Sequence, residues 1–149
     1  MDCCATSSNI EPAIANCPSC GEKGKKVPLI TLKSLLVASF LETIEPDNPY
    51  YFCPNSSCNT VYFSQTSSQT FEENALKVHV FQKNSDKDVP ICYCFDWTRD
   101  RLIQSVSDNQ QPIEHIKDHV QAGRCGCEVN NPQGACCLGN VTAYLRSLN

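Results

Sequence analysis

The chain has 149 residues, which is enough for one ordinary domain or two small ones. Its formal net charge is −4, with seven Lys and Arg against ten Asp and Glu in residues 1–89 and five against six in residues 90–149. Phosphate binding needs clustered positive charge, so this distribution argues against nucleic acid as a main partner.

The cysteines are predicted to bind metal rather than to form disulfides. They number twelve, about eight per cent of the chain, close to the level typical of cysteine-built scaffolds. The start MDCCATSSNIEP has neither the basic residues nor the apolar run of a secretory signal, and the apolar stretch LLVASFL is too short to cross a bilayer. We therefore expect a cytoplasmic protein without membrane insertion, in which thiols stay reduced.

The predicted fold class is α+β, with two small domains. A flexible tail over residues 1–14 precedes an α+β domain over residues 15–88 that zinc cross-links, and a helical domain follows over residues 89–149. The polar stretch QKNSDKDVP, which ends in proline, is typical of a linker or exposed turn and sets the boundary.

In the first domain, VPLI predicts a short strand, and TLKSLL predicts one short helix with Thr31 as its N-cap. The aromatic and β-branched runs YYFC and TVYFS predict two strands. Leu76 to Phe81 alternates, with Val78 and Val80 on one face, and predicts a further strand that includes His79.

The second domain is predicted to hold three helices. Thr98 is a candidate cap for a helix over RDRLIQSV, whose inward stripe includes Leu102 and Val106. Pro112 suits the first turn of a helix over IEHIKDHVQA. A third helix fits LGNVTAYLRSL.

Two cysteine pairs in the first domain predict a structural zinc site. The motifs CPSCG and CPNSSC together supply four sulfurs, the closed tetrahedral set of structural zinc: Cys17, Cys20, Cys53 and Cys58. A catalytic zinc keeps an open position, which four thiolates do not leave. A redox CxxC pair is disfavoured because the βαβ context is missing.

The second domain carries the CxC motif CYC, Cys92 and Cys94, which needs two further ligands. The stretch GRCGCEVNNPQGACCLGN offers four candidates: Cys125, Cys127, Cys136 and Cys137. Cys137 opens the third predicted helix, where backbone N–H groups and the helix dipole favour a thiolate. Four tetrahedral sulfurs suit both zinc and an iron–sulfur cluster, so ligand type alone leaves the metal open.

Both cysteine segments resemble one family. VPICYCFDWTRDRL followed by AGRCGCEVNNPQGACCLGNV is similar to the [2Fe-2S] domain in the N-terminal part of CopZ-type copper chaperones, which is itself similar to bacterioferritin-associated ferredoxin. ANCPSCGEKGKKVPLITLKSLL and YYFCPNSSCNTVYF resemble the zinc-binding domain that precedes it. The resemblance covers roughly residues 15–147.

The resemblance implies a mononuclear zinc and a [2Fe-2S] cluster held by the CxC and two later cysteines. The family's gap after the CxC is just above thirty residues; 32 residues separate Cys94 from Cys127 and 30 separate it from Cys125, which favours Cys127. The expected cluster ligands are therefore Cys92, Cys94, Cys127 and Cys137, with Cys125 and Cys136 as alternatives. The backbone N–H groups around four nearby glycines are expected donors to the sulfurs: Gly123, Gly126, Gly134 and Gly139.

The expected function is one-electron transfer in the handling of copper or another soft metal, for example reduction of Cu(II) to Cu(I). This makes the protein at most a metal-ion reductase, with a redox partner protein, metal chaperone or transporter as partner. The alternative is a non-redox module that sequesters Cu(I) or Hg(II), or a cluster sensor that signals to a protein partner. The family's copper-carrying domain with its MxCxxC loop is expected to be absent, since Met1 is the only methionine.

Four further thiols are candidates for binding a soft ion such as transient Cu(I): Cys3, Cys4, Cys125 and Cys136. For the adjacent pair near the N-terminus, the alternative is a tail with incidental thiols. His115 and His119, four residues apart on the second predicted helix, are expected to face solvent rather than to bind metal.

Overall fold

The computed structural model describes residues 14–148. The predicted tail, with Cys3 and Cys4, lies outside these residues except for Ile14. The first half contains five strands, two short helices and one 3₁₀ turn: β1 Ile14–Asn16, β2 Lys23–Val27, α1 Leu29–Leu35, α2 Ala38–Leu41, β3 Tyr50–Phe52, β4 Thr60–Ser64, β5 Thr70–Glu72 and the turn Glu73–Ala75.

The strands form one antiparallel sheet in chain order, β1-β2-β3-β4-β5. In its centre Tyr51 is opposite Phe63. Every residue of β3 and β4 is buried, so the middle of the sheet is covered on both faces. Successive side chains of a strand point to opposite faces. Tyr50 and Phe52 accordingly pack with α1, whereas Tyr51 packs with three of the predicted zinc ligands on the other face.

Two predicted elements of this half are wrong. Pro28 is the N-cap of α1, so the strand over VPLI ends at Val27 and Thr31 lies inside the helix instead of capping it. Residues 76–81 form no strand beyond an isolated bridge between Leu36 and Leu76. The backbone N–H of Val80 donates to a Glu73 carboxylate oxygen at 2.8 Å, so it bonds a nearby side chain rather than a neighbouring strand.

The second half begins with a hairpin of β6 Pro90–Cys92 and β7 Trp97–Thr98. Four helices follow: α3 Arg99–Ser107, α4 Pro112–Gln121, α5 Cys127–Asn130 and α6 Leu138–Ser147. The hairpin, α3, α4 and α6 enclose a core that includes Ile91, Trp97 and Val141. The mixed α and β class is therefore confirmed.

The start of two helices is confirmed in detail. The Arg101 N–H donates to Thr98 Oγ1 at 3.0 Å, and Pro112 occupies the first turn of α4. The predicted inward stripe of α3 is wrong at Val106. This residue is 57% exposed, because α3 packs through Leu102 and Ser105. Within residues 14–148, no helix has the length and apolarity that a bilayer span requires.

Candidate metal centres

The four predicted zinc ligands converge in the structure. The sulfurs of Cys17, Cys20, Cys53 and Cys58 all lie within 4.8 Å of one another. Cys17 Sγ is 4.0 Å from Cys58 Sγ, and Cys20 Sγ is 3.7 Å from Cys53 Sγ. Four thiolates around a tetrahedral zinc with bonds of about 2.3 Å are separated by roughly 3.8 Å. The spacing therefore fits one zinc ion.

Two tight turns bring these sulfurs together. In the first, Gly21 has φ +78° and donates its N–H to the Cys17 carbonyl at 2.8 Å, a conformation that glycine adopts readily. In the second, the Cys53 N–H donates to Val61 O at 2.9 Å, and the Cys58 N–H donates to Asn55 O at 3.1 Å. The sheet thus fixes one cysteine of the second pair, and the turn after β3 fixes the other.

The thiols of this site differ in acidity. Hydrogen bonds from the Asn55 side chain and the Glu22 backbone lower the pKa of exposed Cys20 to about 7. Burial, which disfavours the thiolate, raises the pKa of Cys53 to about 12. A bound cation displaces the proton of such a buried thiol, so metal binding at this site is expected to release protons.

The second set of cysteines lies around the CxC hairpin and the segment between α4 and α6, residues 122–137, which we call the ligand loop. Cys92 is buried at the end of β6, and Cys94 is half-buried in the turn that follows. Cys127 begins α5, and Cys137 is the N-cap of α6, so the predicted place of Cys137 at the opening of the third helix is confirmed.

The sulfurs of this second set form a chain of contacts. Cys94 Sγ and Cys127 Sγ are 3.7 Å apart. The thiol of Cys137 is within hydrogen-bonding reach of both Cys127 and Cys92, and these contacts raise its pKa. The contact with Cys137 lowers the pKa of Cys92, while the contact with Cys127 raises the pKa of Cys94. The order of contact is thus Cys92, Cys137, Cys127, Cys94.

Two N–H groups of the ligand loop point at Cys94. The Gly126 backbone N–H donates to Cys94 Sγ at 3.1 Å, as expected for a glycine in this stretch. The Asn130 side-chain amide donates to the same sulfur at 3.6 Å. Asn130 was not predicted from the sequence; its place three residues after Cys127, on one helical turn, is the signal that would have indicated it.

Cys125 and Cys136, the alternative ligands and extra thiols, are both half-buried in the ligand loop. Cys125 is disulfide-bonded in the structure, and the assignment of both residues as extra soft-metal thiols stays a prediction.

The prediction that His115 and His119 face solvent is wrong. Both are half-buried, and their Nε2 atoms are 3.2 Å apart. The Trp97 indole N–H donates to His115 Nδ1 at 3.1 Å, and the Phe95 ring stacks on His119 with centroids 4.6 Å apart. His79, expected in a sheet, lies outside the strands with its side chain 70% exposed.

The first half defines a class of metal-binding domain. Residues 14–77 match the family model of CopZ type that is described as a zinc binding domain. The matched region runs from β1 to just beyond the 3₁₀ turn and includes all four converging cysteines. The predicted resemblance to the CopZ-type zinc-binding domain is therefore confirmed.

Two comparisons extend beyond this domain. The chain is 30% identical over 122 residues to the copper chaperone CopZ of Archaeoglobus fulgidus, covering 81% of this chain and 57% of that protein. It thus spans less than two thirds of the relative's length. It is also similar to the X-ray structure of the Archaeoglobus fulgidus CopZ N-terminal domain, with a TM-score of 0.70 and 28% identity, over 87% of this chain and 96% of that one. The similarity therefore continues into the helical half.

Proposed function

We propose that the chain is a zinc and [2Fe-2S] protein that transfers single electrons in the handling of copper or another soft metal. The observation that carries the proposal is the chain of four thiols from Cys92 through Cys137 and Cys127 to Cys94. The zinc site belongs to the domain over residues 15–88, and the proposed cluster site belongs to the helical domain over residues 89–149.

The resemblance of this half to the [2Fe-2S] domain of CopZ-type proteins is the reason for proposing a binuclear cluster rather than a single ion at the second set. A single tetrahedral ion needs all four sulfurs close together, as in the zinc site. In the second set Cys94 Sγ lies 3.7 Å from Cys127 Sγ, and Cys137 contacts both Cys127 and Cys92, so the four sulfurs are linked in a row. Four cysteine sulfurs are the donor set of a [2Fe-2S] cluster.

When bound, a [2Fe-2S] cluster supplies one-electron redox chemistry. The protein shields one side of this site, because Cys92 and Cys137 are 1% and 2% exposed. Cys94 is more accessible and receives the N–H groups of Gly126 and Asn130. We infer that electrons enter and leave at the Cys94 edge.

The zinc site has a structural role in this proposal. Four thiolates fill the tetrahedral shell and leave no open position for a substrate. Three of them, Cys17, Cys53 and Cys58, pack in a buried cluster with Tyr51 and Phe63, so the ion joins the two turns of a small sheet.

Copper is the proposed substrate because the chain is similar to a copper chaperone. One electron converts Cu(II) into Cu(I), which a separate metal chaperone or transporter would then take. We infer a cytoplasmic location, because both proposed sites require reduced thiols. Soft-metal binding without reduction, at a thiol such as Cys136, is the competing function.

The test combines spectroscopy with copper reduction. The anaerobically purified chain is expected to show visible absorption bands and, after dithionite treatment and desalting, a rhombic electron paramagnetic resonance signal. Added to Cu(II) with a chromogenic Cu(I) chelator, the reduced chain should yield about one Cu(I) per chain, since the cluster carries one electron. Tight Cu(I) binding without formation of Cu(I) from Cu(II) would support the competing function instead.

Replacing Asn130 is expected to change the reduction potential. Its amide donates to Cys94 Sγ, and such a bond stabilises the more negative, reduced state. Asn130→Leu should therefore lower the potential, by about 20–60 mV, equivalent to roughly 0.5–1.4 kcal/mol for one electron. Redox titration measures the shift, with Asn140→Leu as the control because Asn140 donates to Gln133 rather than to a cysteine. An unchanged potential in Asn130→Leu would show that this contact does not tune the site.

A further inference from the structure

The ligand loop is held by buried side chains of the zinc-binding half. Thr31, on α1, is fully buried and donates its hydroxyl to the Glu128 carbonyl at 2.6 Å. Glu128 directly follows Cys127. Tyr62, on β4, is also fully buried and donates its phenol to the Pro132 carbonyl at 2.5 Å. Two carbonyls of the loop therefore depend on donors from the other half of the chain.

The packing at the middle of the loop is equally close. Gly134 has φ +69°, and a Cβ on this residue would lie 3.0 Å from both Pro28 Cδ and Thr31 Oγ1. The loop backbone therefore rests directly on the start of α1. Within the loop, buried Asn131 donates to Ala135 O at 3.0 Å. The stretch between Cys127 and Cys137 is thus shaped both by its own contacts and by the surface of α1.

The same residues connect the loop to the zinc site. Tyr62 precedes Phe63 on β4, and Phe63 stacks on Tyr51 with ring centroids 5.5 Å apart. Phe63 and Tyr51 share a buried cluster with Cys53 and Cys58. In a small domain, metal binding supplies part of the folding free energy. Zinc binding at these cysteines therefore stabilises the strand that presents the Tyr62 hydroxyl to the loop.

We propose that Thr31 and Tyr62 are positioning residues for the cluster site. They hold the ligand loop so that Cys127 and Cys137 meet Cys94 and Cys92, and the zinc-binding domain thereby acts as the template on which the second site assembles. This inference rests on the proposed function. It predicts that the cluster is retained less firmly when these two hydroxyls are removed, although neither residue contacts a cluster ligand's sulfur in the described contacts.

The test uses Thr31→Val, Tyr62→Phe and the double variant of the whole chain. The rate at which visible absorption decays in the presence of an iron chelator reports cluster release. Each single change should speed release about fivefold, the factor expected for one buried hydrogen bond, and zinc content should stay unchanged. Thr31→Ser, which keeps the hydroxyl, should restore the slow rate.

Tyr50→Phe is the matched control. Tyr50 is equally buried in the same sheet, but its phenol bonds Glu45 and Gln69 within the zinc-binding half. This variant should destabilise the fold by a similar amount without speeding cluster release. If Tyr50→Phe speeds cluster release as much as Tyr62→Phe does, the faster release reflects general destabilisation of the fold. That result would overturn the inference.

Hydrogen exchange provides a second measurement, made on protein freed of iron but containing zinc. Amides of residues 128–135 should exchange faster in the double variant than in the parent chain, because the loop loses both donors. Unchanged exchange together with unchanged cluster release would overturn this inference alone. Absence of iron and sulfide from the parent chain would overturn the proposed function, and this inference with it.

Discussion

Cys53→Ser is expected to remove zinc from the chain and to unfold the zinc-binding half at physiological temperature. Cys53 is completely buried at the end of β3, in one cluster with Tyr51, Phe63 and two other cysteines. Serine is a poor zinc ligand, so one of four bonds is lost and a buried hydroxyl remains. Because structural zinc contributes its binding free energy to folding, the free energy of unfolding should fall by more than about 3 kcal/mol.

Zinc analysis and thermal unfolding measure this effect. The control is Ser57→Ala, a change at an exposed residue of the same turn. Ser57 bonds Asn55 through its backbone N–H, so the substitution leaves that bond in place. This control should keep its zinc and its unfolding midpoint. A Cys53→Ser protein with zinc and an unchanged midpoint would mean that these sulfurs do not hold the ion.

Cys127→Ser and Cys137→Ser are expected to abolish bound iron, bound sulfide and visible absorption. Each of these thiols contacts two other sulfurs of the set. Cys127 contacts Cys94 and Cys137, and Cys137 contacts Cys127 and Cys92. Removing one leaves an iron atom with a single cysteine ligand. Zinc should remain at about one equivalent in both variants, because the first site is untouched.

Cys136→Ser and Cys125→Ser are the matched comparisons, since both residues lie in the same loop and both were alternatives for the ligand set. Each is expected to keep iron and colour. If Cys125→Ser or Cys136→Ser loses the cluster while Cys127→Ser or Cys137→Ser keeps it, the proposed ligand set is wrong.

Local signals predicted part of the fold well. The Thr98 cap, Pro112 in the first turn of α4 and the aromatic strands β3 and β4 all depend on near neighbours in sequence, and all are confirmed. The alternation in residues 76–81 failed because no adjacent strand was available to pair with it. Leu76 alone makes a bridge, with Leu36, and the Val80 N–H bonds the Glu73 carboxylate instead of a strand.

For the sites, too, features set by near neighbours in sequence were predicted, and features set by the folded chain were not. The spacing of CPSCG and CPNSSC indicated four cysteines that do converge. The pairing of Cys94 with Cys127, across 32 intervening residues, depends on how the ligand loop folds back. The roles of Thr31 and Tyr62 arise only where the two halves meet, so no local pattern indicated them. The predicted solvent-facing side of His115 and His119 is wrong because Trp97 and Phe95, which cover them, come from the β6–β7 hairpin rather than from the same helix.

The most direct test of the account is the iron, sulfide and zinc content of the anaerobically purified chain. Two sites of different nuclearity should give about two iron, two sulfide and one zinc per chain. About two zinc per chain, with neither iron nor sulfide, would show that both cysteine sets are mononuclear zinc sites and would contradict the proposed electron transfer.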